Sequence, residues 1–122
     1  MTNKDLPALR QLAANGQIVY TYHGQLRMLE RGYLIDDVTR ILSSHTNQIV
    51  EIQPPSAVPG KEHKDERVLI SDPMYHPDTA ILISVDVSKP AAPTIVIVTV
   101  EEAKDEMWYK DREKTPWLIR KQ

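Results

Sequence analysis

The chain contains no cysteine, which removes disulfides, a thiolate nucleophile and cysteine-ligated metal from consideration and makes a reducing cytoplasm the expected setting. No apolar run approaches the roughly 20 residues that cross a bilayer, and Met1-Thr2-Asn3-Lys4-Asp5 lacks the basic and then apolar start of a secretory signal. A membrane association is therefore not expected. Glycine is scarce: the four present are scattered, so no glycine-rich phosphate loop and no strained serine elbow can be assembled. A basic excess is lacking too. With 15 Lys and Arg against 17 Asp and Glu the formal net charge is -2, which argues against a broad field for nucleic acid and leaves only local or partner-assisted contact with RNA. The histidines His23, His45, His63 and His76 stand too far apart for paired ligand spacing, so neither a metal nor another cofactor is expected.

What is present fits one domain over residues 1–122, with 41% hydrophobic and 26% charged residues. Leu6, Leu9 and Leu12 recur at helical spacing between Lys4 and Ala14, with Pro7 near the start and Asn15-Gly16 as the stop. Ile18-Val19-Tyr20-Thr21 reads as a brief extended piece. Thr21 then suits the N-cap of a second helix that ends at Gly32, and Asp36 and Asp37 open a third whose buried stripe is Leu34, Val38, Ile41 and Leu42. His45, near its end, complements the helix dipole.

From residue 47 the period changes to that of strands: Gln48–Gln53, Glu66–Ser71, Thr79–Val87 and Pro93–Val100, separated by Pro54-Pro55, Asp72-Pro73, His76-Pro77-Asp78 and Ser88-Lys89-Pro90. The expected fold is α+β, with N-terminal helices on one face of an antiparallel four-stranded sheet. Residues 104–122 read as a basic, aromatic tail carrying Trp108, Tyr109, Lys110, Arg112, Lys114, Trp117, Arg120 and Lys121.

The second helix carries most of the chemistry. Spacing of four puts His23, Arg27 and Arg31 in one row, while Tyr22, Leu26, Leu29 and Tyr33 fall on an apolar stripe expected to face the core. Arginine keeps its charge and offers forked donors to phosphate; histidine exchanges a proton near neutrality. Attack of a 2′-hydroxyl on phosphorus requires both abilities. Glu30 is placed to orient His23 or Arg27, or to form a surface ion pair. Arg67 opens a strand and is expected to point toward the helix flank; Lys110 and Arg112 are candidate phosphate contacts in the tail.

His23 followed by Arg27-Met28-Leu29-Glu30-Arg31-Gly32, Asp37-Val38 on the next helix, the strands at Asp65–Ile70 and Ile95–Glu102, and Lys104-Asp105-Glu106-Met107-Trp108 resemble the bacterial family labelled domain of unknown function 4258, over about residues 20–110. The resemblance implies a compact domain similar to toxins of the RelE and BrnT type, which are ribonucleases of toxin-antitoxin pairs. Within that pattern His23, Arg27, Glu30 and Arg31 match, while Ile81 stands where members often carry a second histidine. Two functions are expected from this. One is a metal-independent endoribonuclease acting on free or ribosome-associated RNA, with His23, Arg27, Arg31 and Glu30 in its site and a cognate antitoxin protein as partner. The other is a non-catalytic protein-binding module on the same fold.

Overall fold

The computed structural model describes residues 1–86, 88 and 91–122. The expected strand end at Val87 and the expected turn residues Lys89 and Pro90 lie outside them.

A single 3-10 turn at Asn3–Asp5, capped by the Thr2 hydroxyl accepting from the Lys4 N–H, leads into α1, Leu6–Ala14. Pro7 sits in the first turn, where its missing N–H has no intrahelical partner to lose, and Leu6, Leu9 and Ala13 turn into the core. The short strand β1, Ile18–Tyr20, runs into α2, Tyr22–Arg31. Thr21 caps α2 as its side chain requires, its hydroxyl accepting from the Gly24 N–H at 3.0 Å, and Gly32 closes it with a left-handed φ of 71°. In α3, Ile35–Ser43, the Asp37 carboxylate reaches back to the Leu34 N–H at 3.0 Å, while Val38, Ile41 and Leu42 are buried.

Four strands follow as an antiparallel meander: β2, Gln48–Gln53; β3, Arg67–Ser71; β4, Thr79–Asp86; and β5, Thr94–Glu102. The expected four-stranded antiparallel sheet is corrected to a mixed sheet of five in the order β1-β5-β4-β3-β2, because β1 pairs parallel to β5 with Ile18, Val19 and Tyr20 opposite Ile95, Val96 and Ile97. The brief extended piece expected at residues 18–21 is this strand; three residues carry too little periodicity to announce its partner, and parallel pairing needs the long crossover that α2, α3 and the meander provide.

A second correction concerns residues 104–122. They are no loose tail. Trp108–Lys110 (β6) and Leu118–Arg120 (β7) form an antiparallel hairpin that lays Trp108, Trp117 and Leu118 on Leu69, Ala80, Leu82 and Ala103. The sheet is thus covered on both faces, not one. Val68–Ile70 and Ala80–Leu82 are buried on successive residues, so both their faces need a cover, and the helices supply only one. On the helix side the core joins Leu9, Met28, Val38, Ile41 and Leu42 to Ile70, Ile81, Ile83, Ile95 and Ile97.

The register of β5 slips at one point: Leu82 faces Thr99 while Ile83 faces Ile97, leaving Val98 as the extra residue of a bulge. Past the bulge Val100 points into the helix-side core, and Glu101, directly opposite Ala80, faces the hairpin.

Candidate functional site

Strand β1 pairs with β5 only as far as Ile97, so beyond that residue the outer edge of β5 would be open. Helix α2 closes it. The Thr21 hydroxyl donates to the Ile97 carbonyl at 2.8 Å, the Thr21 N–H reaches the same oxygen at 3.3 Å, and farther along the Arg31 guanidinium donates to the Val100 carbonyl. Unpaired strand edges are sites of adventitious pairing, and here side chains of a helix satisfy the acceptors instead. Approach this close needs a small residue. A Cβ on Gly24 would lie 2.9 Å from the Ile97 oxygen, and Met28 packs one turn later.

This docking overturns the expected stripe. The buried face of α2 is Gly24 and Met28, with Arg31 reaching the sheet edge from an exposed position, so the larger apolar stripe is turned outward: Tyr22 is 77%, Leu26 37% and Leu29 78% exposed. Only Tyr33, beyond the helix, is partly buried, and its hydroxyl accepts from Thr79 at 3.0 Å. Leu34 and Ile35, at the turn into α3, continue the exposed patch. Between the end of α2 and the start of α3 a groove of about 590 Å³ is lined by Tyr20, Met28, Leu29, Tyr33, Leu34 and Ile35. The Tyr20 hydroxyl is buried beside it, and that burial pushes its pKa up while the Thr39 side chain pulls back.

The polar row has a mixed fate. His23 and Arg27 stand on the same flank of α2; His23 is exposed and makes no hydrogen bond among the described residues, and Arg27 holds Glu30 at 2.7 Å. Glu30 therefore pairs with Arg27, not with His23. Arg31, eight residues from His23, is turned by about 80° around the axis and displaced about 12 Å along it, which brings it to the sheet edge and commits it to Val100. Among the described residues, the five main hollows are lined by other side chains than His23, Arg27 and Arg31.

The remaining candidates lie elsewhere. Arg67 opens β3, opposite Gln53 and two strands from β5, roughly 10 Å across the sheet from the edge that α2 occupies, so it does not reach the helix flank. Lys110 is held by Asp78 at 3.1 Å and Asp105 at 2.8 Å, and its hydrogen bond keeps the Asp105 carboxyl below its ordinary pKa. Arg112 is exposed beside a separate hollow shared with His45, Gln48 and Thr115. Among the described residues no three His, Asp or Glu side chains gather closely enough to hold a metal ion, and no helix is long and apolar enough to cross a membrane.

A polar centre absent from the expectations lies under the hairpin. Arg120 forks onto Glu51 at 2.8 and 3.0 Å and sits 4.4 Å from the Trp108 ring centre. The hydrogen bond from Arg120 holds the Glu51 carboxyl below its usual range. Glu101, half-buried beside them, is pushed the other way by burial, with Arg120 and Arg31 pulling back. No sequence signal marks this cluster, because only the bulge at Val98 determines which face Glu101 occupies. No family model, curated protein or solved structure matches the chain.

Proposed function

We propose that this protein is a protein-binding module whose docking face is the apolar surface of α2 and the start of α3. One observation carries the reading: Tyr22, Leu26, Leu29, Leu34 and Ile35 form an exposed apolar surface on the order of 500 Å², near the top of the range for the largest patch of a monomer. Leaving such side chains in water forgoes about 25 cal/mol for each Å² that a partner would cover. The test is binding of the products of neighbouring genes to the intact chain and to its Leu29→Asp variant. Leu29 is surface-exposed, so the variant should fold as the parent does and lose the partner; equal binding by both would refute the docking face.

A second reading, metal-independent RNA cleavage by a toxin held by an antitoxin, is favoured by a specific observation: His23 stands exposed on the same flank as the partly exposed Arg27, adjoining the docking face. A protein seated on that face would cover them. The resemblance to the family labelled domain of unknown function 4258 supports the same reading, with His23 moving the proton and Arg27 offsetting charge; Arg31 is committed to the Val100 carbonyl, Lys110 to Asp78 and Asp105, and Arg67 and Arg112 are more distant phosphate contacts. A positioned acid or base is worth about 10²–10⁴-fold, so RNA cleavage by the purified chain should collapse in His23→Ala. Cleavage that survives that change, or none from the parent with or without ribosomes, would sink it.

A further inference from the structure

The exposed face is complementary to itself. Tyr22, Leu26 and Leu29 lie at spacings of four and three along one side of α2, and Tyr22 and Leu29 are nearly equidistant from Leu26. Two copies of α2 packed antiparallel, with a twofold axis beside Leu26, therefore bring Tyr22 of each against Leu29 of the other. Such an axis keeps like flanks together, residue i meeting j and j meeting i. On one flank the projecting Tyr22 ring of each copy comes over the groove formed by Met28, Leu29, Leu34 and Ile35 of the other, a hollow of about 590 Å³. On the opposite flank Glu30, in the last turn of one helix, comes to the first turn of the other and to its His23, where a negative charge also complements the helix dipole.

The area agrees with this occupant. A standard interface buries about 800 Å² per partner, and the homodimeric kind is about 65% apolar, which requires roughly 500 Å² of apolar surface from each copy. The patch on α2 and α3 supplies an area of that order. A larger partner groove is not needed to bury it.

We infer that the docking face pairs with a second copy of this chain, α2 against α2 in antiparallel, Tyr22 of each copy seated in the groove of the other. The inference rests on the docking face proposed above and names its occupant. Absence of cysteine makes the test direct: Leu26→Cys places one thiol per chain beside the twofold axis, and Val58→Cys places one in the exposed connection between β2 and β3 as a control. Sedimentation of the full chain should show a dimer that Leu29→Asp converts to monomer, and mild oxidation should cross-link Leu26→Cys at least tenfold faster than Val58→Cys. A dimer that persists in Leu29→Asp, with Leu26→Cys no faster than the control, overturns the pairing. So does a parent chain that is monomeric up to its solubility limit. If that monomer binds a neighbouring gene product and loses it in Leu29→Asp, self-pairing fails while the docking face stands; if binding ignores Leu29→Asp, both fail.

Discussion

Gly24→Ala separates local helix preference from tertiary contact. Inside a helix alanine is favoured over glycine by about 1 kcal/mol, and on that basis alone the change should stabilise α2. The contacts at the edge of β5 reverse the sign. The added methyl would stand 2.9 Å from the Ile97 carbonyl oxygen and 3.1 Å from the Thr21 hydroxyl. Neither atom can yield cheaply: Ile97 belongs to a strand paired on its other side with Ile83, and the Thr21 hydroxyl is fixed between the Ile97 carbonyl and the Gly24 N–H. The helix must lift from the strand, which weakens a cap worth about 1 kcal/mol and adds an overpacking term of about 1–3 kcal/mol. After the gain in propensity the net loss is about 2 kcal/mol, a fall in Tm of about 8 °C at roughly 4 °C per kcal/mol for a chain of this size. Thermal and urea unfolding followed by circular dichroism measure it. A Gly24→Ala protein as stable as the parent, or more so, would refute the close seating of α2 on β5.

Other consequences are as direct. Arg31→Ala strands the Val100 carbonyl and should lower stability by about 1.5 kcal/mol, whereas Arg27→Ala breaks only an exposed pair and should change it by less than about 0.5 kcal/mol; equal effects in urea titrations would contradict the different seats of the two arginines. Trp117→Ala should cost about 3–5 kcal/mol, because its ring fills the second core; a mild effect would return residues 104–122 to the status of a tail. Glu101 titrates above its usual 4.5 in the fold, so folded chains retain a proton that unfolded chains release. Its contribution to stability is therefore complete at low pH and declines as pH rises from about 4.5 through the raised value. Glu101→Gln removes that decline, so the variant should gain on the parent across this window; a stability difference that stays flat with pH would count against burial as the cause.

Much of the secondary structure was legible because it is punctuated. Thr21, Gly16 and Gly32 mark helix ends through their side chains or their lack of one, and Pro54 stops β2 where it cannot donate to a ladder. Packing was less legible, for identifiable reasons. On α2 the sequence offers two apolar sectors, Tyr22-Leu26-Leu29 and the smaller Gly24-Met28, and amphipathicity alone selects the larger. The choice was made by the edge of β5, which admits only the glycine side. Pairing of β1 depends on Ile95–Ile97, far away along the chain, and the second core is assembled from residues as separated as Leu69, Ala103 and Trp117. The candidate site followed the same division. His23 and Arg27 share one flank of α2, as a spacing of four requires, while the turn between His23 and Arg31 carried the third member of the row to the sheet.

Strand β5 borders β1 and β4, receives α2 along its edge and touches α1, and its bulge divides its side chains between two cores. Helices α1 and α2 and strands β1 and β4 are thereby fastened to a single ribbon, all but β4 by contacts remote in sequence. Local melting has no seam to follow, so amide hydrogens along this ribbon should exchange only when the entire assembly opens, and stress should leave the protein whole until it fails all at once.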